Sequence, residues 1–300
     1  MLALTWGVKV FLKITWVLSR GDTIVTHGNA MGVPLAIYSA RLRNYDITGK
    51  PGKRKYKIVH MESGLRGNTG ATRLLDAIYK FADKRSDTLF TPFNSTRKNL
   101  RSEEIKGKII LSGDVMKDVV RETLKIKPRT KNPKSNYVLA SITRSIITKH
   151  DALQLLHAIR DSQMKTILIL NPVIKNRIHK FGLSKLLVSD NIELMKPTDY
   201  PAFLNLLNNS KGAITDSTGV EEECAVLGKP CISTNDFLQI PELAESGVVR
   251  KAGCNYIAIL GGLRKIKGGY WKVRKNSAMV SGSPTKRVAD YLTRLERGSR

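Results

Sequence analysis

Short β-branched runs alternate with helix-length amphipathic segments along almost the whole chain, and few folds accommodate that order. Strand-like runs fall at Thr23 to Thr26, Tyr56 to His60, Thr88 to Phe90, Lys108 to Leu111 and Tyr137 to Ala140. More follow at Thr166 to Leu170, Ile192 to Met195, Gly212 to Thr215 and Pro230 to Ser233. Between them lie helical patterns such as Thr72 to Asp83, Asp151 to Asp161 and Pro201 to Asn209. A strand, a helix and a second strand in that order build βαβ units, so the predicted class is α/β with parallel sheets. Ligands of such sheets bind at the carboxyl ends of the strands.

At 300 residues the chain is long enough for two domains of ordinary size. The segment Lys125 to Asn136 is polar, basic and proline-bearing, and reads as the linker between them. The expected division is an N-terminal domain over 1–124, the linker over 125–136, a second domain over 137–283 and a C-terminal helix over 284–300. The cleft between two such domains is the default ligand site.

The formal net charge is +26, which draws anions of every kind. Basic residues are dense over Arg41 to Lys55 and again over Arg264 to Lys275. No zinc-finger spacing, stacking-aromatic pattern or repeat accompanies them, so a diffuse basic surface is expected and no specific nucleic-acid partner. Three cysteines, Cys224, Cys231 and Cys254, lack metal-ligand spacing, and their odd number argues against a disulfide framework. A reducing, cytoplasmic setting fits. Met1 to Leu18 is apolar but broken by Lys9 and Lys13, so a buried or amphipathic helix is expected and no membrane span. A helix lying at a membrane interface through Trp6, Phe11 and Trp16 is the competing reading.

The chemistry-bearing stretch is Ile214 to Pro230. A strand runs into the turn Asp216-Ser217-Thr218-Gly219 and then into a helix with acidic residues in its first turns. Such a helix start offers free backbone N–H groups and the positive end of the dipole. Ser217 and Thr218 add hydroxyls, Gly219 lets a ligand approach the backbone, and Glu223 lies about a turn further on. A diphosphate carrying a ribose suits that arrangement. An ordinary capped helix would show the same local pattern.

Several segments together resemble one family, the non-hydrolysing UDP-N-acetylglucosamine 2-epimerases. Val25-Thr26-His27-Gly28-Asn29 is similar to the family's V-H-G-D, and His60-Met61-Glu62-Ser63-Gly64-Leu65-Arg66 to H-V-E-A-G-L-R. Ser112 to Asp118 looks like its strand-to-helix turn, Tyr137 to Arg144 like Y-V-L-A-T-I-H-R, and Asp216 to Pro230 like D-S-G-G-I-Q-E-E-A-x-x-L-G-x-P. The resemblance implies two Rossmann-like domains in a glycosyltransferase-B type arrangement, the first incomplete at its N-terminus. It implies that Ser217, Thr218 and Gly219 hold the UDP phosphates, that Glu223 binds the ribose hydroxyls, and that Arg66 and Arg144 contact substrate. It places Glu62 at the sugar as a catalytic carboxylate. Asp76 falls near the family's paired catalytic glutamates, although Arg73 to Ala77 departs from that motif, and a solvated helix residue is the competing reading.

The reaction implied is interconversion of UDP-N-acetylglucosamine and UDP-N-acetylmannosamine. UDP leaves C1 while a base takes the C2 proton, and UDP then adds back after protonation on the other face. No cofactor or metal is required, the partner is a UDP-sugar, and family members commonly dimerise. Against this stand four departures. The leading glycine-turn strand is missing; the catalytic aspartate is replaced by Asn29, whose amide hydrogen-bonds but does not titrate; the I-H-R histidine is Thr143; and the arginine of T-E-R-P-E is Ile240. The alternative is therefore a catalytically impaired or hydrolysing sugar-nucleotide-binding homologue.

Overall fold

The computed structural model describes residues 23–28, 37, 57–67, 73–128, 136–274 and 279–297. The expected Met1 to Leu18 helix, the whole basic 41–55 stretch, Asn29 and positions 129–135 of the expected linker lie outside the described residues. Contacts divide the chain into two units, one ending at Val115 and resumed at Val280, the other running from Met116 to Met279.

In the first unit, strands β1 (Thr23–His27), β2 (Lys57–Met61), β3 (Thr88–Thr91) and β4 (Lys108–Leu111) form a parallel sheet in that order. Helices α1 (Arg73–Arg85) and α2 (Asn94–Ser102) connect its strands. α2 starts at Phe93, where the Thr96 hydroxyl accepts from the Phe93 N–H at 3.1 Å and donates to the Phe93 carbonyl. The last helix of the chain, Pro284–Arg297, belongs to this unit as well. Val288 packs against Val59 and Phe90, the Tyr291 ring meets Phe90 edge-on at 5.4 Å, and its hydroxyl lies 2.9 Å from that of Thr88. Burying that aromatic contact is what draws the helix to this sheet.

The second unit opens with α3 (Met116–Thr123), which packs on two later helices, α6 (Tyr200–Asn209) and α7 (Thr218–Leu227). Its six-stranded sheet has the order β10-β9-β8-β5-β6-β7, with every pair parallel. These strands are β5 (Val138–Ile142), β6 (Thr166–Leu170), β7 (Ile192–Met195), β8 (Gly212–Thr215), β9 (Cys231–Ser233) and β10 (Val249–Lys251). α4 (Lys149–Ser162) begins in a capping box, Thr148 accepting from the Asp151 N–H. α5 (Pro172–Lys180) and α6 begin at Asn171 and Asp199, each accepting from an N–H three residues on. Two later helices, α8 (Pro241–Glu245) and α9 (Tyr256–Lys267), flank β10 in sequence. Ile142, Leu168, Ile214 and Ile232 of the sheet meet Leu155, Leu156 and Ile159 of α4 and Ile259 and Leu263 of α9 in one core.

The chain winds outward from β5 through β6 to β7, then returns to lay β8 on the other side of β5 and winds outward again. The direction therefore reverses between β5 and β8. The loops leaving those strands must part there, which opens a crevice at their carboxyl ends. The helix after β8, α7, carries the sequence's diphosphate-like turn.

Candidate active site

At the β5–β8 reversal, Asp216 is fully buried and faces the neighbouring loop. Its carboxylate accepts from the Thr143 N–H and hydroxyl, at 3.0 and 2.8 Å, from the Arg144 N–H at 2.5 Å and from the Ser145 N–H at 2.6 Å. Arg144, exposed, donates to the Asp216 carbonyl at 2.9 Å. Thr143, standing where the family has histidine, is thus bonded into the loop through backbone and side chain. Ile240, standing for the family's arginine, is buried at the head of α8.

With Asp216 turned toward the loop, Ser217 occupies the N-cap position of α7, and no side chain caps that helix. Its first turn keeps N–H groups with no intrahelical acceptor. The Thr218 hydroxyl reaches the Gln239 side chain at 3.2 Å. A Cβ added at Gly219 would come no nearer than 3.8 Å to the Ser217 hydroxyl and 3.9 Å to Met116, so packing does not demand glycine there. What glycine leaves is a bare backbone at an uncapped helix start.

Three consecutive glutamates on α7 are buried. Glu221 accepts from the Ser233 hydroxyl at 2.6 Å and from Asn235 at 3.3 Å; burial raises its pKa and those bonds partly oppose the rise. In Glu223, oxygen Oε2 is buried with no hydrogen-bond partner among the described residues. Burial lifts its pKa to about 7, against a hydrogen bond from Tyr200. Tyr200 begins α6, and no motif in the sequence had singled it out.

In the first unit, β1 and β2 end side by side. His27 closes β1, and its Nε2 lies 3.2 Å from Glu62, just past β2. His27 is 55% exposed and Glu62 23%. That bond raises the His27 pKa, helped by the nearby charge of Asp114 and opposed by partial burial. Glu62 sits at φ 57°, a conformation that costs a residue with a side chain about 1 kcal/mol or more. The turn beyond is pinned to α2: Asn99 donates to the Gly64 carbonyl at 2.9 Å, and Gly64, at φ 83°, would place a Cβ 2.3 Å from the Thr96 carbonyl.

Beneath this pair runs a buried polar chain. His60 bridges Asp83, at 2.9 Å, and the Gly28 carbonyl, at 3.2 Å. Arg66 donates to Asp83 at 2.7 Å, to Glu103 at 2.8 and 3.1 Å and to the Leu65 carbonyl at 2.8 Å. Arg66, carried over from the resemblance as a substrate contact, therefore stands with its guanidinium engaged inside the unit. Asp76 is buried at the start of α1, accepting from the Gly67 N–H at 2.9 Å, so the solvated-helix reading does not hold. His27, Asp83 and Glu103 were not among the predicted site residues; His27 lay within a recognised motif, whereas Asp83 and Glu103 carried no local signal. Among the described residues no group of three or more His, Cys, Asp or Glu side chains could hold a metal ion. No helix among them is long and apolar enough to cross a membrane.

A family described as UDP-N-acetylglucosamine 2-epimerase matches residues 52–293. A UDP-N-acetylglucosamine 2-epimerase homolog of Methanococcus maripaludis is 30% identical over 225 residues, 71% of this chain and 62% of its own length. The chain thus spans less than two thirds of that relative. The UDP-N-acetylglucosamine 2-epimerase of Methanocaldococcus jannaschii is 29% identical over 82% of this chain and 69% of its own. A UDP-2,3-diacetamido-2,3-dideoxy-D-glucuronate 2-epimerase of Pseudomonas aeruginosa is 28% identical over 79% of this chain and 68% of its own. Among solved structures, the M. jannaschii enzyme in complex with UDP-GlcNAc and UDP superposes with a TM-score of 0.80 at 23% identity, covering 96% of this chain and 80% of the other. The two Rossmann-like units expected from the motifs have that fold.

Proposed function

Because this chain belongs to the UDP-N-acetylglucosamine 2-epimerase family, we propose that it interconverts UDP-N-acetylglucosamine and UDP-N-acetylmannosamine by elimination and re-addition of UDP. The observation that carries the reading is Glu223: a buried carboxylate oxygen without a donor among the described residues, on a helix whose first turn has no side-chain cap. A buried acceptor without a partner costs stability unless a ligand supplies the donor. A ribose hydroxyl does so, while the diphosphate takes the N–H groups and hydroxyls of Ser217, Thr218 and Gly219. Arg144, its guanidinium anchored on the Asp216 carbonyl, adds positive charge at that turn. UDP is common to the substrates named for the relatives, and the sugars differ.

The first unit supplies the acid–base chemistry. Glu62 takes the C2 proton; the C–H electron pair becomes the C1–C2 double bond, and UDP departs with the C1–O pair. Re-addition returns a proton to C2 on the opposite face as UDP bonds to C1. Asn29 offers no titrating group. His27 is the exposed group next to Glu62, its Nε2 at 3.2 Å, and we assign it the positioning of Glu62. Arg66 and Asp76 act on this corner indirectly, by holding the 60–67 segment.

Incubation of the full chain with UDP-N-acetylglucosamine in heavy water should place deuterium at C2 of the sugar. No exchange and no UDP release, with UDP still bound, would favour the second reading, a binding homologue that has lost turnover. The substitutions at 29, 143 and 240 support that reading. No UDP binding would reject both. We further propose a homodimer, on the resemblance alone, which sedimentation tests. A cytoplasmic location rests on the reduced Cys224, Cys231 and Cys254 thiols.

A further inference from the structure

Helix α9 carries two glycines in its interior, Gly261 and Gly262, each costing roughly 1 kcal/mol of helix stability relative to alanine. Gly262 has a packing reason: a Cβ there would stand 2.7 Å from the end of the Ile232 side chain, which packs against the bare helix backbone. Gly261 has none, since a Cβ there would meet nothing within 4 Å. It borders a cavity of about 300 Å³ between α9 and the edge strand β10, a volume at the lower end of small-molecule sites.

The cavity has an apolar floor and a cationic rim. Ile232 and Trp271 form the floor, and Arg250, Lys251 and Lys265 the rim; among the described residues no acidic side chain lines it. Trp271 is buried and anchored by its indole N–H on the Gly247 carbonyl at 2.8 Å. The Arg250 guanidinium carbon lies over the Trp271 ring, 4.6 Å from its centre. A guanidinium resting over an aromatic ring keeps N–H donors free for the oxygens of an anion. Neither Arg250 nor Lys265 has a carboxylate partner among the described residues, and Lys251 donates to the Asp236 carbonyl at 3.1 Å. Three cations gathered without an acid repel one another until an anion joins them. Ile257, 77% exposed, adds apolar surface at the mouth.

We propose that this cavity is a second anion site, for a small organic phosphate whose apolar part lies on the Ile232–Trp271 floor. It is separate from the α7 turn: it covers the α9 face of β9 and β10, whereas Ser233, next to Ile232, turns its hydroxyl to Glu221. It also gives a use to the basic run that begins at Arg264, which the nucleotide reading leaves unused.

Phenyl phosphate and inorganic phosphate are the probes, titrated calorimetrically into the full chain. Phenyl phosphate should bind, and more tightly than inorganic phosphate. The double change Arg250→Gln with Lys265→Gln should weaken it about tenfold or more, the scale of a lost charge-assisted hydrogen bond. Gly261→Leu fills the cavity while raising helix propensity and should abolish it with the fold intact by circular dichroism. Ser217→Ala with Glu223→Ala should leave it unchanged. The proposal is overturned by no binding at millimolar probe, by equal binding of the two probes, by binding that survives Gly261→Leu, or by loss confined to the Ser217/Glu223 variant.

Discussion

Two carboxylates seven residues apart, Asp216 and Glu223, meet opposite fates. Asp216 is surrounded by donors from Thr143, Arg144 and Ser145 and joins two loops where the sheet reverses direction. Glu223, also buried, has an oxygen with no donor among the described residues. The first unit repeats the contrast: Arg66, Asp83, His60 and Glu103 satisfy one another below the surface, while His27 and Glu62 stand open above them. In both units the saturated groups are architecture, and the unsaturated ones are what remains for a ligand.

The sharpest way to break the comparison is Asp216→Ala. It leaves three backbone N–H groups and the Thr143 hydroxyl, all part-buried, without their acceptor and should lower stability by about 1–3 kcal/mol, the cost of stranding such donors. A melt unchanged from wild type would show that Asp216 is not the joint described. Glu62→Gln should instead leave the melt in place and slow C2 deuterium exchange about 10²–10⁴-fold, the usual worth of a general base, with UDP affinity retained. Loss of stability without a selective loss of exchange would put Glu62 with the architecture.

Glu223 separates the classes through pH. Its folded pKa of about 7 lies above the ordinary 4.5, so the native state keeps a proton that the unfolded chain has already released. Stability should fall as pH rises from about 4.5 to about 7, by up to roughly 3 kcal/mol. Glu223→Gln should flatten that slope, which denaturant titration across the window measures. The same change should weaken UDP about tenfold, the scale of one hydrogen bond to a charged group. Gly219→Ala tests the helix start itself. The site has room for the methyl, so the melt should hold or rise by up to about 1 kcal/mol from helix propensity, while UDP affinity falls. Unchanged UDP affinity would remove the bare backbone from the binding site.

Much of the strand order was legible because β-branched runs sit between turn residues. Thr166–Leu170, Ile192–Met195 and Gly212–Thr215 stand where the sequence pattern placed them. β10, Val249–Lys251, was not legible: its outer residues Arg250 and Lys251 are exposed, and three residues with two charges carry no strand period. Helix α2, Asn94–Ser102, was hidden by its polar composition, its start depending on the reciprocal Phe93–Thr96 bonds. At the site, the α7 turn could be read locally because a diphosphate cradle is built from consecutive residues. Arg66 could not, since its partners Asp83 and Glu103 lie 17 and 37 residues away.

The sequence by itself determined the α/β class, the parallel sheets, the family and the helix start that offers its N–H groups, because each follows from neighbours along the chain. Tertiary structure alone decided which charged groups are used up and which remain open. Asp216 is taken up by a loop more than seventy residues away, and Glu223 gained a pKa near neutrality from burial. His27 acquired Glu62 only because β1 and β2 lie side by side in the sheet. The chemistry of a carboxylate or an imidazole depends on the donors and the solvent around it, and those come from wherever the fold brings them.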